Sequence, residues 1–365
     1  MSTYFSFIKS CTSQTLLHDS VLLCTIEPQM AFLFKRNPKT PPDLVRVLNE
    51  LLYKLDLPND SRKYQDECLR YLKQVKIVLY GDDENDPQPD QISLLSQELY
   101  ALDCLYHLLH NLRKLDFDLR KDVVLLFLTL LRRKIGNDLP TVDYLVHQKP
   151  EILVLLMKSP EHQETALVCG QILRDCAKFE VINRFILYHP LFWNFFKYAQ
   201  IHIFEIATDV FVTLQQLLSQ HKKLVSEFSG KHCEQITTSI NQLIKADNYV
   251  TKRQSVRLLS ELAMQKLNHL FLMYYFDDTT SLKLVMLLLS DKLKNVQMEA
   301  FHLFKFFVAK PKKSQKVLDI LIKNKENFVQ FFNSFDVSGT GTNIVDERDY
   351  IMGEIQKLPD IERIH

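Results

Sequence analysis

Glycine is almost absent from this chain, with 7 residues in 365. Glycine is what lets a backbone turn left-handed or come close to a phosphate. Phosphate-binding loops therefore depend on it, and neither G-x-G-x-x-G nor G-x-x-x-x-G-K-[ST] occurs anywhere. Strand-rich folds also spend glycine on their turns. The shortage argues for an all-α protein without nucleotide chemistry.

The apolar pattern agrees. Leu44, Val47, Leu48, Leu51 and Leu52 form a stripe at helical spacing, as do Leu69, Leu72, Val75 and Leu79. The second stripe stops at Tyr80-Gly81, before an acidic, proline-containing loop over 82–89. Prolines at 140, 150, 160 and 190 punctuate the middle as helix starts or breaks. None lies between Pro190 and Pro311, so that stretch is expected to run as near-continuous helical hairpins.

Five segments share one shape, a polar opening and a short residue followed by a dense apolar stripe. They are residues 121–128, 166–173, 208–214, 253–259 and 298–304. Anchored on Asp122, Gly170, Asp209, Ser255 and Ala300, they are spaced 48, 39, 46 and 45 residues apart. Armadillo and HEAT units repeat at roughly 40–47 residues. The expectation is an armadillo/HEAT-like helical-repeat solenoid in which these segments are the third helices, lining a concave binding face. Residues 31–358 would form this domain, with a flexible leader over 1–30, in which Met30 is an alternative start, and a tail over 359–365.

The 45 Lys and Arg balance 44 Asp and Glu for a net charge of +1, which offers no bulk attraction to nucleic acid or anionic lipid. Seven scattered cysteines without a C-x-x-C fit a reducing compartment. No apolar run approaches the ~20 residues that span a bilayer. These features read as cytoplasmic, with no nucleic-acid partner and no membrane insertion.

Candidate chemistry is sparse. Cys104, His107 and His110 sit at i, i+3 and i+6, too far around a helix to close on one metal, and read as packing residues. Asp336, Gly341 and Glu347 match positions 1, 6 and 12 of an EF-hand loop. Ser338 and Thr340 supply only neutral oxygens, however, and Asn343 occupies a position that wants an aliphatic. We read 336–347 as a Gly/Ser/Thr loop before a last helix, Trp193 as core, and the chain as having no metal site, no cofactor and no catalytic residue.

Asn248-Tyr249-Val250-Thr251-Lys252-Arg253-Gln254-Ser255 and 295–305 resemble the calcium-binding protein 39 family, also called mouse protein 25 or, in moulds, HymA. Further likeness lies in Leu79-Tyr80-Gly81, 97–100, 131–136 and 140–144, and it runs from about Ala31 to Leu358. The resemblance implies a non-catalytic armadillo-like scaffold that binds and activates protein kinases in polarity and morphogenesis signalling. Its partners would be a germinal-centre/sterile-twenty-type kinase, or a kinase held with a STRAD-like pseudokinase bearing a Trp-Glu-Phe-type tail. It implies concave-face contacts at Phe204, Tyr249, Arg253, Arg257, Lys266 and His269, and a pocket methionine at Met286. Arg257 stands where Lys is usual, Lys266 where Arg is usual, and His269 where Phe is usual. For the tail pocket, helical spacing puts Leu282, Met286 and Leu289 on one face, with Phe304 and Phe307 opposite and Lys283 or Lys305 at the rim. The alternative is a plain armadillo/HEAT peptide adaptor without kinase activation.

Overall fold

A computed structural model describes residues 40–55, 61–82, 86–335 and 342–360. Among them no strand forms, apart from one bridged pair, Ile135 with Asp138, closing a turn at Gly136. The helices are α1 (Pro41–Lys54), α2 (Ser61–Tyr80), α3 (Pro89–Ala101), α4 (Cys104–His110), α5 (Phe117–Arg132), α6 (Pro140–Asp143) and α7 (Glu151–Lys158). There follow α8 (Ala166–Cys176), α9 (Glu180–Tyr188), α10 (Asn194–Tyr198), α11 (Phe204–Ser219), α12 (Lys222–Lys231), α13 (Cys233–Ile244) and α14 (Tyr249–Met264). The last are α15 (His269–Tyr275), α16 (Thr279–Leu289), α17 (Lys294–Ala309), α18 (Gln315–Lys323), α19 (Lys325–Ser334) and α20 (Thr342–Gln356).

Local chemistry sets many of these ends. Gly81 takes φ +79 just past α2, the left-handed position that closes a helix. Pro140 opens α6, and Asp116, Asn248 and Asp278 cap α5, α14 and α16 by accepting from first-turn amides. Asp103 is the one described non-glycine residue with positive φ (+49), and its carboxylate accepts from Tyr144 Oη and Lys149 Nζ.

Every third helix packs on its equivalent. α2, α5, α8, α11, α14, α17 and α20 form one continuous ladder, each rung against the next. The five repeat segments all lie on it, in α5, α8, α11, α14 and α17, so the sequence period marks the rungs. The two end rungs, α2 and α20, lay outside the repeat signal. A second ladder runs through α1, α4 and α7, then by way of the short turn Pro190–Trp193 to α10, α13 and α16. The core is one continuous sheath of Leu, Ile, Val and Phe between the ladders. Trp193 is half-buried at its edge, stacked on Phe196 and Phe228.

Ion pairs tie neighbouring rungs. Lys76 on α2 reaches Asp122 on α5 at 2.7 Å, Arg174 on α8 reaches Asp209 on α11 at 2.8 Å, and Lys305 on α17 pairs with Glu347 on α20. Gly170 makes the second pair possible. A Cβ built there would stand 2.1 Å from Asp209 Oδ2, so only glycine leaves room for the carboxylate.

Candidate functional site

The rungs α11 and α14 present the densest set of candidate residues. Phe204 opens α11 and is 53% exposed. It divides two recesses. One is a cleft of about 640 Å³ bounded by Gln200, His202, Gln242, Lys245 and Asp247, and the other is a narrow slot along Thr208, Val212 and Gln254. Asn248 and Thr251 line both recesses, and Asn248 is also the α14 cap that fixes where the helix begins.

From that cap, helical spacing puts Tyr249, Arg253 and Arg257 one turn apart on the open side of α14. Tyr249 and both arginines are exposed. The two arginines differ. Arg257 Nε donates to Glu261 Oε1 at 3.1 Å, and Glu261 also accepts from Gln215 of α11 at 2.8 Å. Arg253 has no side-chain partner among the described residues. A planar cation with five donors, unpaired and one turn from the exposed Tyr249, is suited to gripping a carboxylate or a backbone carbonyl.

Lys266 and His269 are exposed but lie beyond the far end of α14, on the turn into α15. Fifteen residues of helix, about 22 Å, separate Tyr249 from Met264. The six predicted residues therefore form an extended strip rather than one pocket. An apolar run missed in the sequence surrounds the far group: Met264 is 76% exposed, with Leu267, Leu270 and Met273 also exposed. Their spacing mimics core spacing, so nothing in the letters marks them as uncovered.

Most side chains expected to line the tail pocket are buried. Leu282, Leu289, Phe304 and Phe307 are closed in the core where α16 packs against α17 and α18. Lys305, expected at the rim, is engaged by Glu347. What stays accessible on α16 is Lys283, the half-buried Met286 and Leu287, which is 72% exposed and absent from the sequence reading.

Cys104, His107 and His110 have different surroundings. Cys104 is buried, and desolvation pushes its thiol well above the usual range. His107 meets Tyr53 Oη at 2.7 Å, and His110 stacks on Tyr106. Of the calcium-loop reading, residues 336–341 lie outside the described residues. α20 begins at Thr342, inside the expected loop, so Glu347 sits on a helix facing Lys305. Among the described residues no helix is long and apolar enough to cross a membrane.

A ladder of packed helices offering an extended strip of exposed aromatic and cationic side chains defines a helical-repeat scaffold, built to hold another protein. The sequence model of the Mo25-like family matches residues 32–359. A Mo25-like protein of Schizosaccharomyces pombe is 38% identical over 90% of this chain and all of its own length. The human calcium-binding protein 39-like protein is 38% identical over 89% of this chain and 97% of its own. Protein HYM1 of Saccharomyces cerevisiae is 37% identical over 91% and 86% respectively. The chain belongs to the Mo25-like family.

Proposed function

We propose that this protein is a non-catalytic scaffold that binds a germinal-centre/sterile-twenty-type protein kinase, alone or with a STRAD-like pseudokinase, and activates it by holding its active conformation. The observation that carries the reading is Arg253, exposed and without a side-chain partner among the described residues, on the open side of a rigid rung one turn from the exposed Tyr249. A surface arginine left unpaired one turn from an exposed tyrosine has the composition of an interface hot spot.

Activation of this kind needs no chemistry on the scaffold. A kinase that is inactive 99 times in 100 becomes active 99 times in 100 if the active form is bound with about 5.5 kcal/mol of extra affinity. The strip from Phe204 to His269 is long enough to span more than one element of a kinase lobe, so it can favour one arrangement of those elements. A partner's Trp-Glu-Phe-type tail would dock at the accessible face of α16, with Met286 and Leu287 receiving the aromatics and Lys283 pairing the glutamate. Two tethered contacts raise the effective concentration of each for the other.

The test is recovery of the tagged full chain from its own cells, followed by a kinase assay on what co-purifies. The reading requires a kinase of this class in the complex and higher activity with the scaffold than after its removal. A complex without a kinase would leave the plain adaptor reading in its place.

A further inference from the structure

A cleft lies away from the α11–α14 strip, on the edge where second helices turn into rungs. The turn after α4, a single 3₁₀ turn over Leu112–Lys114, faces the equivalent turn after α7, Ser159–Glu161 and the residues leading into α8. Between them is a cleft of about 610 Å³. Its walls are pinned by one side chain. Arg120 donates from Nε to the Leu112 carbonyl at 3.0 Å, from Nη2 to the Arg113 carbonyl at 3.0 Å, and from Nη1 to the Glu164 carbonyl at 2.9 Å. The two turns are thus stapled at a fixed separation, and the cleft is preformed.

Its lining has two parts. The floor is apolar: Leu109, Leu155 and Leu156, with Cys169, whose thiol burial pushes up to about 12 and keeps neutral. The rim is basic. Arg113 is exposed, and its guanidinium has no partner among the described residues, while Lys114 stands beside it, hydrogen-bonded to Asn111 Oδ1 at 3.0 Å. His110 and His162 complete the same rim. Among the described residues lining the cleft, the one carboxylate, Glu164, lies 3.8 Å from Arg120 and is offset by it.

We propose that this cleft binds a short acidic peptide segment of a partner protein, which seats one aliphatic or aromatic side chain on the leucine floor and places flanking carboxylates on Arg113 and Lys114. The apolar floor sets the anchor, and the cationic rim sets the charge of what flanks it. Arg120 is a positioning residue that keeps the walls apart. The site is independent of the kinase reading, because none of its residues lies on α11 or α14.

The experiment pans a phage-displayed random peptide library on the full chain and compares it with R113E and with the R113E/K114E double variant. Arg113 is exposed, so thermal unfolding of R113E should match the parent, whereas Lys114 is half-buried and bonded to Asn111, so the double variant is compared at a temperature where its own unfolding shows it folded. The expected result is enrichment of peptides with Asp or Glu around one apolar residue. Affinity should fall about tenfold or more in R113E, as for a central charged contact, and should hold in R253A. Charge-swapped, lysine-bearing peptides should regain affinity for R113E/K114E. Enriched peptides that are neutral or basic, or that bind R113E as well as the parent, would overturn the proposal. Failure to enrich any peptide would overturn it equally.

Discussion

Replacing Gly170 with alanine should destabilise this protein, although helix propensity alone predicts the opposite. Gly170 lies inside α8, where exchanging glycine for alanine ordinarily gains about 1 kcal/mol. Here the new methyl would sit 2.1 Å from Asp209 Oδ2, whereas ordinary contact begins near 3.4 Å. The carboxylate must withdraw by 1.3 Å, the difference between those two distances. That movement breaks its 2.8 Å pairing with Arg174, whose guanidinium is 19% exposed and retains only Thr213 Oγ1 and the Asp209 carbonyl. Overpacking of this kind costs ~1–3 kcal/mol, and loss of a partly buried ion pair adds to it. Set against the propensity gain, the net loss is about 1–3 kcal/mol. Urea unfolding followed by far-UV circular dichroism measures it. The cycle with Asp209→Ala isolates the cause, because without the carboxylate Gly170→Ala should become neutral or mildly stabilising. Stabilisation by Gly170→Ala in the parent background would refute the close approach of α8 and α11.

Four further outcomes are expected. His302, held below its usual 6.5 by burial and then by nearby Lys305, stays neutral when folded, while the unfolded chain takes up its proton first. Its contribution to stability is therefore complete above that value and is lost as pH falls through the lowered folded value; His302→Gln should flatten the difference between denaturant midpoints at neutral and mildly acidic pH. Among the described cysteines, Cys68, Cys104, Cys169 and Cys176 are buried and Cys233 is half-exposed, so peptide mapping after brief native alkylation should find Cys233 modified and those four protected. Met286→Ala should weaken a Trp-Glu-Phe-ending peptide about tenfold in a calorimetric titration, whereas Lys305→Ala should spare the peptide and lower stability through loss of Glu347. Arg257→Ala should impair partner binding less than Arg253→Ala in surface-plasmon titrations, because Glu261 already engages Arg257.

The rungs were legible because each repeats a polar opening, a short residue and an apolar stripe, and because stacking like on like makes that shape recur. Gly170 and Asp209 anchored two of those segments, and the structure places them in contact across the rungs. The end rungs α2 and α20 were read as helices but stood outside the repeat signal, because a terminal helix meets a neighbour on one side only and its pattern relaxes. Burial around the tail pocket was illegible for a related reason. Spacing at i, i+4 and i+7 fixes which side chains share a helix face, but not whether another helix covers that face. α18 and α17 cover most of it, leaving Met286 half-exposed and Leu287 outside. Arg120 was illegible for a third reason, since its three acceptors are backbone carbonyls as far as 44 residues away and no side-chain pattern announces them.

The central claim is that the open side of α14 grips a kinase and holds it active. Its most direct measurement is the activity of a purified germinal-centre/sterile-twenty-type kinase titrated with the parent protein and with Arg253→Ala. The variant should unfold at the same temperature as the parent, because an exposed, unpaired side chain carries little folding energy, and it should have lost at least about 2 kcal/mol of binding. The expected result is saturable stimulation by the parent and none by Arg253→Ala at the same concentrations. Full stimulation by a folded Arg253→Ala protein would contradict it.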